Sequence, residues 1–403
     1  MAAFFILPAA HAADISQSLP DPDGKPADMS QPVQVYILLG QSNMLGFGKI
    51  GAADKPGSLT HAVKEQKLYP YLVDAAGNWT KRQDVRNVRV MGSGTGRMRV
   101  FNNEWMTIKG RAIGPEIGIG HHVGHVTDAP VMILKSCIGN RALGWDLLPP
   151  GSEGFEFTDA KGVTWIHPGY KGTPERWKKG TEPKKIKWYA GMQYDGDIAR
   201  AKKVLSELDT YYPGVKKTKV DTAKVEALKT QIAAKEDLAR RARFTAEGLR
   251  KHRAEVAALR NELASLQAAV NGYQIAGFFW WQGDRDSRSA GLSGRYEKNL
   301  VHLIQQLRKD FNAPAAKFVC ASLGQTQKGA TDGGGKILDA MQAVDGRSGK
   351  YPEFAGNVAA VYSHPLSKGG SSGSHYGGNA ETYMNVGEAM GKAMVQLLQA
   401  GNN

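Results

Sequence analysis

Five stretches of the chain are apolar and rich in β-branched residues, and each ends in glycine or polar residues: VQVYILLG (33 to 40), APVMILKSC (129 to 137), YQIAGFFWW (273 to 281), AKFVCASLG (316 to 324) and NVAAVYS (357 to 363). Runs of this kind, apolar at consecutive positions, are what strands buried on both faces require. Between them lie patterns of helical period: PEIGIGHHVGHV from Pro115, DIARAKKVLSELDTYY from Asp197, GRYEKNLVHLIQQLRKDF from Gly294 and AETYMNVGEAMGKAMVQLLQ from Ala380. Strands alternating with helices predict an α/β fold, a doubly wound parallel sheet with helices on both faces. In such sheets the functional site lies beyond the carboxyl ends of the strands.

One segment breaks this alternation. From 217 to 270 the composition shifts to Ala, Glu, Lys, Arg and Leu, and Leu249, His252, Val256, Leu259, Leu263, Leu266 and Val270 recur at spacings of three and four. Val225, Leu228 and Ile232 repeat the pattern more weakly, with a break between Phe244 and Gly248. This predicts an antiparallel α-helical hairpin inserted ahead of the strand at Tyr273 and packed on the body of the protein, with a dimerisation arm as the alternative. A second irregular stretch, 151 to 191, is rich in Gly, Pro, Trp and Lys and is too long for a plain connection, so it is expected to cover a cleft.

The chain of 403 residues is 41% hydrophobic, enough for a sizeable core, and carries a formal charge of +14. Much of that excess falls between Lys216 and Arg260, so the charge describes the hairpin more than the whole surface. An acidic polysaccharide is a candidate partner; nucleic acid is not expected. The first thirteen residues combine an apolar stretch with Ala10 and Ala12 flanking His11, in the manner of a signal-peptide remnant. The body from residue 30 to 403 is then an exported domain, secreted or periplasmic, and no stretch nears the roughly 20 apolar residues of a membrane span. Two cysteines, Cys137 and Cys320, make neither a disulfide framework nor a metal site by themselves. They are expected to pack as small apolar residues, with a bridge open if their strands are neighbours.

The chemistry gathers at strand ends. The first strand runs directly into GQSNMLG, which puts Ser42 at the opening of a glycine-containing turn. A serine hydroxyl there can act as a nucleophile if a base and N–H donors surround it; in isolation it could equally cap the next helix. Lys135, Asn140, Arg141 and Trp145, after the second strand, are candidate rim residues, or simply polar loop residues.

The GQSNM string, together with GPEIG at 114 to 118, WWQGDRD at 280 to 286 and the late His375, resembles the SGNH/GDSL hydrolase superfamily. More narrowly it is similar to the sialate O-acetylesterase and acetylxylan esterase branch, carbohydrate esterase family 6. The resemblance implies a three-layer α/β/α fold and no metal or organic cofactor. It implies Ser42 as nucleophile and His375 as base, with oxyanion donors from the Ser42 N–H, Gly114 and Gln282. Gln41, Asn43, Lys135, Arg141, Trp281 and Glu381 complete the expected substrate-binding set.

One departure stands out. The family places Asp three residues before the histidine, and here that position is Ser372. Asp286 is the first candidate for the triad acid, followed by Glu381 and Asp284; a dyad in which Ser372 or a backbone carbonyl orients the imidazole is the other possibility. The expected activity is removal of acetyl groups from carbohydrate through an acyl-enzyme. The alternatives are a lipid or aryl-ester hydrolase of the same fold, and a non-catalytic carbohydrate-binding or scaffold relative, which the Ser372 departure would favour.

Overall fold

The structure is a computed structural model describing residues 26–217 and 222–400; the signal-peptide segment read at 1 to 13 lies outside the described residues. Its centre is a seven-stranded sheet of β1 (Val33–Gly40), β2 (Lys81–Met91), β3 (Arg99–Thr107), β4 (Val131–Ser136), β5 (Tyr273–Trp281), β6 (Lys317–Ala321) and β7 (Val358–Val361). The order across the sheet is β7-β6-β5-β1-β4-β2-β3. All neighbours are parallel except β2 and β3. From β1 the chain first lays down the β2–β3 pair, comes back as β4 between β1 and β2, and then builds the other side outward from β5. The carboxyl end of β1 is therefore the switch point of the sheet, where a crevice opens between oppositely directed connections.

Alternation along β1 feeds two cores, because successive side chains of a strand point to opposite faces. Val33, Val35, Ile37 and Leu39 enter one cluster with the helices α2 (Met192–Ser206), α5 (Ala290–Asp310) and α6 (Gly333–Val344). Tyr36 and Leu38 enter the other, with α1 (Glu116–His125) and α7 (Ala380–Ala400). This is the three-layer α/β/α arrangement the resemblance implies. Trp280 and Trp281 at the end of β5 split between the clusters as alternation requires, and both are closed off from solvent.

The strands β2 and β3 escape a reading based on apolar runs. Arg82, Arg86 and Asn87 are buried on β2; Arg82 pairs with Asp84, and Arg86 Nε donates to the Tyr211 carbonyl at 3.1 Å. The cover segment holds a small antiparallel sheet, Phe155–Thr158, Thr164–His167 and Trp177–Lys178. Two helices, α3 (Thr222–Arg241) and α4 (Ala246–Asn271), form a hairpin, with Leu228, Ile232, His252 and Val256 buried along the seam. Ion pairs run across it, Lys235 to Glu255 at 2.6 Å and Arg260 to Glu236 at 2.5 Å. Its two ends meet at the body: a Cβ on Gly272 would lie 3.2 Å from the Lys217 side chain. Cys137 and Cys320 are free and buried, on β4's end and β6, strands separated by β1 and β5.

Candidate active site

Ser42 opens a single helical turn, Ser42–Leu45, immediately beyond β1. The turn is seated by close backbone approach at both ends. Gly40 has φ +142, and a Cβ there would meet the Trp281 carbonyl oxygen at 2.5 Å; Gly46 has φ +91, and a Cβ there would meet Gly114 Cα at 2.2 Å. Only glycine fits either place. The first N–H groups of the turn have no helical acceptor, which leaves the Ser42 N–H free to donate elsewhere. On the far side the chain passes close at Gly139, where a Cβ would stand 3.5 Å from Ser42 Cβ. Sequence reasoning missed Gly139; the signal available was a glycine just past a strand that neighbours the nucleophile strand.

Gln41 and Gln282 do not face the cleft. The Gln41 Oε1 accepts from Gln282 Nε2 at 3.1 Å, from the Gly283 N–H at 3.4 Å and from the Arg285 N–H at 3.3 Å. Gln282 is fully buried, and its amide also donates to the Arg141 carbonyl at 2.9 Å and to Asp286 Oδ2 at 2.6 Å. Its own oxygen accepts from Tyr296 at 2.9 Å. Every polar atom of Gln282 is therefore committed inside the protein, so in this arrangement it is not placed as an oxyanion donor. Gln41 likewise holds a loop rather than a sugar.

Asp286 belongs to the same network and not to the imidazole. Its carboxylate accepts from the Leu143 and Gly144 N–H groups, both at 2.8 Å, as well as from Gln282. It is fully buried, and burial pushes its pKa up to about 6 despite these three donors. Its oxygens are saturated by donors from the loop after β4, which is why it does not reach His375. Among the other candidate acids, Glu381 is ion-paired with Lys368, and Asp284 is ion-paired with Arg288. Asp284 is nonetheless the carboxylate beside the histidine loop, its Oδ1 lying 3.7 Å from where a Gly373 Cβ would be.

Lys135 is not a rim residue. It is buried beneath the nucleophile turn, where its ammonium donates to the Leu45 carbonyl at 2.9 Å and to Glu116 Oε2 at 2.5 Å. Burial lowers its pKa and the adjacent carboxylate opposes that shift. The other oxygen of Glu116 accepts the Gly114 N–H at 3.1 Å, so the expected oxyanion donor of the second block is occupied from within. One buried ion pair thus ties three parts of the site together: the Ser42 turn, the Gly114 turn and β4.

The histidine loop, Ser372–Gly378, packs across the nucleophile turn. Asn43, fully buried and not open to substrate, donates through Nδ2 to Ser372 Oγ at 2.8 Å, while its Oδ1 has no partner. Ser372 is thereby used on Asn43 rather than on the imidazole. His375 adopts φ 51, ψ 40, and its ring stacks on Phe47 with centroids 4.0 Å apart and planes 8° from parallel. Nucleophile and histidine occupy adjacent segments, and no hydrogen bond joins Ser42 to the ring in this state. His364 is directed elsewhere, its Nδ1 2.8 Å from the Gly324 carbonyl.

Trp281 is not a stacking platform. Its ring is fully buried against Tyr376 and Tyr383, and its indole N–H donates to the Ser322 carbonyl at 3.0 Å. Trp145 is also buried, in a small cluster under the cover with Leu148 and Leu292. Arg141 does reach the surface, over the Trp188 ring at 4.9 Å and bonded to Ser93 Oγ at 3.2 Å, with Asn140 exposed beside it.

Residues 247–396 match the family model of carbohydrate esterases described as sialic acid-specific acetylesterase. The matched stretch is similar to that acetylesterase family and covers less than half of the chain. It contains Gln282, Asp284, Asp286, His375 and Glu381 and begins within α4, whereas Ser42 and Gly114 precede it. A search of curated proteins finds no match. Among solved structures, a protein from Arabidopsis thaliana aligns at 14% identity over 90% of this chain and 98% of its own, with a TM-score of 0.42. NanS aligns at 12% identity over 92% of this chain and 99% of its own, with a TM-score of 0.39. A carbohydrate acetylesterase from Xanthomonas citri aligns at 12% identity over 82% of this chain and 49% of its own, with a TM-score of 0.37. Likenesses this slight carry no weight beside the family match. Among the described residues, no helix is long and apolar enough to cross a membrane.

Proposed function

We propose that the chain is an exported carbohydrate O-acetylesterase working through a Ser42–His375 dyad. The observation that carries this reading is the joint between the two segments: Asn43 bonds Ser372 while Phe47 stacks on His375, which keeps the histidine loop against the turn that opens on Ser42. In unliganded enzymes catalytic hydrogen bonds are often unmade and form when substrate arrives. A rotation of the ring away from Phe47 and toward Ser42 completes the pair.

The steps are those of acyl transfer to water. Ser42 Oγ attacks the acetyl carbonyl carbon as His375 takes the hydroxyl proton, and the oxyanion is met by the Ser42 N–H. Collapse breaks the ester bond, and the sugar hydroxyl leaves with the proton from His375. Water then attacks the acetyl-enzyme, giving up its proton to His375, and acetate departs as Ser42 regains a proton. Among the described residues no carboxylate is bonded to the imidazole, and the ring is oriented by its stack on Phe47, so the reading is a dyad without a triad acid.

Ser42→Ala is expected to abolish acetate release from an acetylated sugar while leaving the circular dichroism spectrum and melting temperature near those of the parent. A serine-directed phosphonate should label Ser42 alone. Undiminished acetate release by the alanine variant would refute the mechanism.

A further inference from the structure

One neighbouring feature is not used by the acetyl-transfer chemistry. Where β2 turns over into β3, an open groove of about 940 Å³ lies against the connecting loop and the start of β3, lined by Ser93, Arg97, Arg99, Val100, Phe101 and Ile138. This is at the upper end of the roughly 300–1,000 Å³ typical of small-molecule sites. Ile138 directly precedes Gly139, which borders Ser42, so the groove leads to the nucleophile.

Its charge is unbalanced. Arg97 and Arg99 are exposed, and no carboxylate pairs with either among the described residues. Arg89, half-buried on the adjoining strand, stands over the Phe101 ring at 5.2 Å; among the described residues its side chain bonds only Met91 Sδ at 3.5 Å, and its buried Nε has no partner. A guanidinium held partly out of water without an anion is an incomplete arrangement, since buried donors are ordinarily satisfied. Val100 and Phe101 are each 49% exposed, so an aromatic face lies open beside the three arginines.

The groove is also held in shape from below. Arg200, paired with Asp197 at 2.9 Å, donates to the Gly94 carbonyl at 2.9 Å and the Gly96 carbonyl at 3.2 Å. Gln193 Oε1 accepts the Gly94 N–H at 2.8 Å. A loop fixed by buried polar contacts presents its exposed arginines on a preformed surface.

We propose that this groove is an extended subsite for an acidic glycan chain. Phe101 carries a sugar ring face, and Arg89, Arg97 and Arg99 pair with carboxylates on residues adjacent to the one deacetylated at Ser42. The substrate on this view is a chain and not an isolated sugar. The proposal rests on the acetylesterase reading for its chemistry but not for its binding.

The test compares the parent with Arg97→Ala/Arg99→Ala and with Phe101→Ala on three substrates: acetylated polygalacturonate, acetylated xylan and 4-nitrophenyl acetate. The double variant should lose on the order of ten-fold in kcat/KM on the polyuronate, mostly through KM, and lose the salt sensitivity of the parent. Its activity on the small ester should stay within two-fold, and on the neutral xylan it should fall far less. Phe101→Ala should weaken both polymers and spare the small ester. Equal activity of parent and double variant on the polyuronate, or equal loss on both polymers, overturns the proposal. Mobility in gels containing unacetylated polygalacturonate reads the groove separately: retardation of the parent but not of the double variant supports it, and no retardation of the parent overturns it. A parent that binds the polyuronate yet releases acetate from none of the three substrates would sink the esterase reading and leave the groove intact.

Discussion

The two sides of the candidate site are built differently. On the nucleophile side, the turn at Ser42 is fixed by glycine contacts at Gly40 and Gly46, by the buried Lys135–Glu116 pair beneath it and by the Gln41–Gln282–Asp286 network beside it. On the histidine side, the loop is anchored by Tyr376, fully buried against Trp281 and Tyr383 and accepting the Gly324 N–H at 3.0 Å, and by Ser372, while the His375 ring itself, in left-handed backbone, has only its stack on Phe47 among the described residues. The contrast shows where preorganisation is concentrated. Stabilising an oxyanion needs groups that do not move during reaction, whereas a base that shuttles a proton between serine, leaving group and water must be able to turn.

The largest effect should come from breaking the buried pair. Lys135→Met leaves the Glu116 carboxylate without its counter-charge and should cost about 3–5 kcal/mol of stability. Adding Glu116→Gln should return much of that loss, because two neutral groups replace an unpaired charge. Chemical denaturation of the two single variants and the double variant measures the coupling. A double variant no more stable than Lys135→Met would show that the pair is not what braces the turn.

Asp286 offers a smaller, pH-resolved test of the same side. Its folded pKa, raised to about 6 from an ordinary 3.8, means that the native state holds this proton more tightly than the unfolded chain. The stability this group contributes is fully present below pH 3.8 and is lost as pH rises through about 6, in total about 3 kcal/mol for a shift of this size. Asp286→Asn, which has no proton to lose, should therefore show a shallower fall in unfolding free energy between pH 4 and 7 than the parent. If Asp286 acted as the triad acid, the same variant would instead lose orders of magnitude in turnover, so activity and stability profiles measured together separate the two roles.

On the histidine side the expected change is modest. Phe47→Ala removes a stacking contact of about 0.5–1.5 kcal/mol, which converts to roughly a two- to ten-fold change in kcat if the ring's placement limits turnover. Steady-state kinetics on an acetylated sugar measure it, and an unchanged kcat would mean that the stack on Phe47 does not place the ring.

How much of this was legible in the sequence follows from what each part is made of. The five apolar runs became five strands, and Ser42 and His375 came to adjacent segments, because strand periodicity and glycine-bounded turns are local signals. β2 and β3 were not legible: the buried Arg82, Arg86 and Asn87 make KRQDVRNVRV on β2 look like surface until the partners on other elements are known, and β3 is an edge strand that is largely exposed. The same blindness applies to Gln41, Asn43, Lys135 and Trp281, read as substrate-binding, and to Gln282, read as an oxyanion donor. Residue type at a strand end identifies a side chain that needs a partner. Whether the partner is substrate or protein is decided by tertiary packing, and here Glu116, Ser372, Ser322 and Asp286 supplied it from within.

The smallest effect on chemistry is expected from the largest change in the chain. The hairpin of α3 and α4 leaves the body beside Lys217 and returns at Gly272, two points already in contact, and its buried residues Leu228, Ile232, His252 and Val256 face one another. It therefore carries most of its packing with it. Deleting residues 218 to 270 and joining the ends through two glycines should leave 4-nitrophenyl acetate hydrolysis within a few-fold of the parent, since no residue placed at Ser42 or His375 comes from the segment. Its flanks are not wholly independent: Ala268 is buried, and Gln267 accepts from Asn312 at 3.1 Å, so the melting temperature should drop by a few degrees through loss of contacts at the hairpin's base. The family match adds a sharper edge, because it begins inside α4 and so takes in the second helix. A folded deletion variant that has lost activity on the small ester would show that α4 supports the strand β5, and through it the Gln282–Asp286 network, making the returning helix part of the catalytic body and leaving only α3 as an addition.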